Sequence, residues 1–150
     1  MGHLTVLLGL SFIAGFLGTI AMTISQEIEI RFITKRSISF SPAIAFFKIF
    51  NLDFESLNKR HKIIASYVVH FVYGIVWGFP LAFLYYYGLI KPVFLSALYL
   101  TIVLVQGWVV LKILHVTDFP WTWGYKAVLT ELIHKTIYTV SATCVFMLLL

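Results

Sequence analysis

The chain is short of charge. Asp and Glu together number six in 150 residues, and charged residues of both signs make up 11%, against about 25% in soluble domains. So few charges cannot clothe a water-exposed surface, which excludes an ordinary soluble enzyme. Cysteine occurs once, at Cys144, so no internal disulfide framework is available. The sequence also lacks a P-loop, a G-x-S-x-G elbow, a dinucleotide fingerprint and an H-E-x-x-H element. It carries no nucleic-acid motif, and no nucleic-acid partner is expected.

What is present is apolar: 61% of residues are hydrophobic. Crossing about 30 Å of hydrocarbon takes roughly 20 apolar residues at 1.5 Å each. Four runs meet that length, at about 4–27, 63–87, 93–114 and 125–150. No Lys or Arg precedes the first, and it is too long for the apolar part of a signal peptide, so it reads as a retained span. The Met-Gly start does not fit a myristoylation motif, because Val6 stands where Ser or Thr is required. The expected fold is therefore all-α: a four-transmembrane-helix bundle in one integral membrane domain over residues 1–150, multi-pass in the cell membrane.

Lys and Arg set the expected orientation. Arg31, Lys35, Arg36, Lys48, Lys59, Arg60 and Lys62 crowd the connection between the first two runs, while the second connection has only Lys91. The basic connection is expected to be cytoplasmic, with both termini outside and anionic lipid headgroups as its partner. Inside that connection Ser41 reads as an N-cap and Pro42 as the first residue of a short helix over 42–51. Its Phe46, Phe47, Ile49 and Phe50 are too few to span, which predicts an interfacial helix. Trp121, Trp123 and Tyr85 to Tyr87 stand where aromatic belts belong.

Helices in lipid meet through small side chains. In the first run Ser11, Gly15, Thr19 and Thr23 recur every four residues, and Glu27 extends that stripe. In the second, Ser66, His70, Gly74 and Gly78 do the same, the last two as a GxxxG pair. In the fourth, Ala127, Glu131, His134, Tyr138 and Ser141 share a side. At 1.5 Å per residue, His70 and His134 both lie about 12 Å from the flanking lysines, Glu131 about 8 Å and Glu27 about 6 Å from Arg31. Three helices can thus aim acid and imidazole groups at one pocket, and ionisable residues inside a membrane point to function.

Glu131 and His134 form an E-x-x-H pair of the kind found in carboxylate-bridged metal centres. Only one such pair exists, which limits the metal reading to a single ion held by Glu131, His134, His70 and Glu27. Haem is the other cofactor reading, with His70 and His134 as two axial ligands. Set against these are plain structural roles. Glu131 with Lys135, and Glu27 with Arg31, are i,i+4 pairs. Histidine and glutamine (Gln106) between helices form bonds worth about 0.6–2 kcal/mol.

The segments A-G-F-L-G-T-I-A-M-T (14–23), Q-E-I-E-I-R (26–31), S-F-S-P-A (39–43) and H-F-V-Y-G (70–74) resemble the pattern of a group of small prokaryotic four-helix membrane proteins with no assigned activity. The resemblance implies a four-helix membrane fold and a shared role for Glu27, Arg31 and His70. The fourth run departs from it, with His134 and Tyr138 in place of a full H-x-x-Y-G. The expected function is an accessory, non-catalytic subunit of a larger membrane complex, such as a respiratory oxidase or membrane monooxygenase, packed against other subunits or its own copies. The alternatives are a metal- or haem-binding redox protein using His70, Glu131 and His134, and an oligomeric proton or ion relay.

Overall fold

A computed structural model describes residues 2–34, 39–88 and 91–150. Lys35 and Arg36, part of the basic cluster, lie outside the described residues. Among the described residues six α-helices follow in order: α1 (His3–Ile28), α2 (Ser41–Ile49), α3 (Lys59–Val76), α4 (Phe79–Tyr86), α5 (Pro92–Ile113) and α6 (Tyr125–Leu149). Four helical segments are long and apolar enough to cross a membrane: His3–Ile33, Lys59–Tyr86, Pro92–Ile113 and Tyr125–Leu149. The first outruns the expected end at 27 because α1 continues as a π-helix over Glu29–Thr34. The short helix starts earlier than its Ser-Pro pair suggests: Phe40 holds the cap position, and Ser41 is already helical.

The packing is inverted relative to a soluble bundle. On α1 the buried positions include Ser11, Gly15, Gly18 and Thr19, while Phe12, Ile13, Phe16 and Leu17 lie on the outside. Small residues inside and large apolar ones outside are what a bundle in lipid requires. The inward hydroxyls cost little, because Thr19 donates to the Gly15 carbonyl at 2.7 Å and Thr23 to that of Thr19 at 2.7 Å. α1 is the central element: its largest interface is with α6, and it also packs on α3 and α4.

Glycine allows the closest approach. A Cβ on Gly15 would sit 2.8 Å from the Gly74 carbonyl oxygen, and one on Gly78 would strike the carbonyl of Ser11. The second membrane segment breaks at this crossing. Pro80 has no N–H to donate to Val76, and the Leu81 amide bonds Gly78 at 3.0 Å, which leaves the Trp77 carbonyl without its helical donor. Tyr99 of α5 supplies one: its hydroxyl lies 2.6 Å from the Trp77 oxygen and 2.8 Å from the Tyr138 hydroxyl. Tyr138 of α6 donates in turn to the Gly74 carbonyl at 2.6 Å. Two buried tyrosines thus tie the broken segment to both remaining helices.

The break also divides the packing of that segment. Its α4 half packs on α5, whereas the backbone of its α3 half lies close to α1 and α2 and meets α5 and α6 through the side chains of Tyr73, Lys135 and Tyr138. A gap therefore opens between α3, α5 and α6 at the end of the bundle where α2 lies. α2 packs against α3 and α5, burying Ala43 and Ala45, with Ala43 in a small cluster with Phe54 and Val69. Asn51 follows α2 with a left-handed φ of 53°, and the Leu52 amide reaches back to Phe47 at 2.8 Å, a Schellman-type stop. His115 ends α5 in the same way, with φ of 51° and the Val116 amide 3.0 Å from Leu111. Lys48 of α2 then donates to the carbonyls of Leu114 at 3.0 Å and His115 at 3.2 Å, which satisfies the end of α5 and complements its dipole.

Two substitutions test the glycine crossing. Gly78→Ala forces α1 and the broken segment apart and should destabilise the protein by about 1–3 kcal/mol. Gly9→Ala, where nothing lies within 4 Å of an added Cβ, should be neutral or slightly stabilising. Thermal unfolding in detergent distinguishes them, and equal melting temperatures would disprove the close contact.

Candidate functional site

The gap at the α2 end is a cavity of about 720 Å³, within the range of small-molecule sites. Its walls differ in chemistry. α1, α3 and α6 contribute Glu27, Glu29, Tyr67, His70, Glu131 and Lys135, while α2 and α5 contribute Phe46, Ile49, Val110 and Leu111. The first side is rich in ionisable groups; the second is mostly apolar, with Ser39 and Ser41 at the start of α2.

At the polar wall His134 is buried between two side chains of α1. Its Nδ1 lies 3.1 Å from the Ser25 hydroxyl, and its Nε2 lies 3.6 Å from a Glu29 carboxylate oxygen. Glu29 is itself buried. Its inward direction follows from the helical period. A four-residue step overshoots one turn by about 40°, so a stripe counted from Ser11 in fours has rotated by about 160° at position 27. Seven-residue steps drift only about 20°, and Gly15, Met22 and Glu29 keep to the buried face. The π-helix begins at Glu29, a widening that recurs at functional sites.

Glu27 faces differently. It accepts a hydrogen bond from Tyr67 of α3 and pairs with Arg31 at 3.0 Å, the guanidinium side chain being 71% exposed. Glu131 stands 3.7 Å from Lys135, and the Lys135 ammonium lies 5.6 Å from the Tyr73 ring centroid. Gln106 of α5 accepts from Tyr73 of α3, which joins the two helices beside the cavity. His70 lines the cavity, but its Nε2 atom is itself buried and has no hydrogen-bond partner among the described residues.

Glu27, His70, Glu131 and His134 therefore all border one cavity, as their shared depth implied. They do not close on a point. Among the described residues no three His, Cys, Asp or Glu side chains are grouped as a metal ion requires. Three site residues were missed by reading stripes in fours: Glu29, Ser25 and Tyr67. For Glu29 and Ser25 the signal was present, since positions 15, 22 and 29, and 11, 18 and 25, repeat at seven.

The remaining histidines lie elsewhere. His61 is in the first turn of α3, where its amide bonds the Asn58 side chain at 3.0 Å. His3 meets Tyr86 at the opposite end, and Cys144 is exposed on α6. At the cavity rim Trp123 is held by its indole N–H, which donates to the Asp118 carbonyl at 2.7 Å. Lys112 lies 2.6 Å from the Asp118 carboxylate and holds it below the usual carboxylate range.

No family model, curated protein or solved structure matches the chain.

The two acids of α1 should respond differently to loss of their contacts. Glu29→Ala strips a buried imidazole of its carboxylate and should cost about 1–3 kcal/mol. Arg31→Ala removes an exposed partner and should cost no more than about 1 kcal/mol. Unfolding of the purified protein by denaturant checks both, and a Glu29 variant as stable as the Arg31 variant would contradict the buried contact.

Proposed function

We propose that this is an accessory, non-catalytic cell-membrane protein that holds a small ligand in the cavity at its α2 end for a larger membrane complex. The single observation behind the reading is the cavity itself, with ionisable groups of α1, α3 and α6 on one wall and apolar groups of α2 and α5 on the other. Charged side chains within membrane segments are costly unless a pocket or pathway employs them. In this reading the basic α2 end lies at the cytoplasmic headgroups, both termini are outside, and α2 is interfacial. The excess of Lys and Arg around α2 supports that orientation.

Gly107 borders the cavity from α5, and the nearest group to an added Cβ there is the Tyr73 hydroxyl at 3.9 Å. Gly107→Phe should therefore fill the space without disturbing the bundle. Native mass spectrometry of protein purified from its own membranes is expected to show a low-mass adduct and large subunits in fixed ratio, with the adduct missing from the variant. A bare chain with neither would overturn the proposal.

A second reading has one observation in its favour: the buried contact of His134 with Ser25 and Glu29 places a proton-carrying pair at the cavity wall. As an oligomeric proton relay, the protein would dissipate a pH gradient imposed on proteoliposomes, and His134→Gln would abolish the leak. Vesicles that stay as tight as protein-free ones would rule it out.

A further inference from the structure

We infer that the cavity takes an uncharged amphiphile, its hydroxyl or amide head hydrogen-bonded to Gln26, Ser66 and Thr130 and its chain laid along Phe46, Ile49, Val110 and Leu111. This rests on the cavity being a ligand site, and it names the chemistry of the ligand.

The charges of the wall are matched within the protein. Glu27 stands 3.0 Å from Arg31, Asp118 2.6 Å from Lys112, Glu131 3.7 Å from Lys135 and Glu29 3.6 Å from His134. Lys135 also lies over the face of Tyr73. Among the described residues that border the cavity, Lys126 is the one ion without a partner, and it is exposed in the first turn of α6. A charged head of either sign would have to draw one member of a pair away and leave the other uncompensated where water is scarce, which disfavours it. An uncharged head leaves all of these contacts in place.

Neutral hydrogen-bonding groups, by contrast, are available. Gln26 of α1, Ser66 of α3 and Thr130 of α6 border the cavity, and none of these side chains makes a hydrogen bond among the described residues. Their polar atoms are accessible rather than sealed in the packing. An amide and two hydroxyls each donate and accept, which is what a hydroxyl or primary amide head requires in return. Across from them Phe46 and Ile49 of α2 and Val110 and Leu111 of α5 suit a hydrocarbon chain. Such a head and chain can belong to a free fatty alcohol or amide, or to a membrane diacylglycerol.

The test uses the full-length protein in phosphatidylcholine nanodiscs, with empty discs as the blank and two pairs of probes of like shape and unlike charge: decanol against decylamine, and decanamide against decanoate. Trp123, at the cavity rim, contributes the fluorescence signal. Decanol and decanamide should bind saturably, each at least tenfold more tightly than the charged member of its pair. Gly107→Phe should abolish both, and the double variant Ser66→Ala, Thr130→Val should weaken decanamide at least fivefold. If the double variant does not fold, the paired comparison on the wild-type protein decides alone. Adding dioleoylglycerol to the discs identifies the source: competition with decanol points to the membrane lipid, and its absence to a free amphiphile. Equal or tighter binding of decylamine or decanoate, or unchanged affinity in the folded double variant, overturns the assignment of the head but leaves the cavity as a ligand site. Absence of saturable binding by all four probes, or binding that survives Gly107→Phe, overturns both.

Discussion

A backbone carbonyl in lipid must find a donor within the protein, since no water is there to provide one. The break between α3 and α4 exposes that requirement at Trp77, and the hydroxyl of Tyr99, itself 2.8 Å from that of Tyr138, meets it. Much of the architecture follows from this arrangement. Across the break the α4 half packs on α5, while the α3 half reaches α5 and α6 through side chains such as Tyr73 and Tyr138. The space between these side-chain contacts is the cavity.

Small residues act at the same level. Gly15 and Gly78 let α1 and the broken segment touch backbone to backbone. The threonines of α1 turn their hydroxyls onto carbonyls one turn earlier, so an inward polar face does not require polar partners. That leaves the few ionisable groups, His134 with Glu29 and Glu131 with Lys135, as the sites where electrostatics outweighs packing. They gather at one end because charge is tolerated there, close to the ends of the membrane segments.

The sequence disclosed much of this, unevenly. The four long runs were plain from length and apolarity, and the GxxxG pair at Gly74 and Gly78 marked the crossing. His70, Glu131 and His134 were placed by depth and spacing, and all three border the cavity. Glu27 was favoured over Glu29 because a stripe counted in fours rotates off the buried face, an error that grows along a helix as long as α1. The helix break was written in Gly78 and Pro80, but the tyrosines that bond the carbonyls of Trp77 and Gly74 lie 22 and 64 residues further on in the chain, and local pattern holds no trace of such partners. The reach of α2 to α5 was hidden for the same reason.

That last contact bears on how anything enters the cavity. Lys48 grips the terminal carbonyls of α5, while the neighbouring turn of α2 supplies Phe46 and Ile49 to the apolar wall. Lifting α2 to widen the entrance must first release that grip and strand two carbonyl oxygens at the foot of α5. The foot of α5 and the apolar wall of the cavity thus share one side chain, which adds an ionic latch to the packing of α2 on α3 and α5.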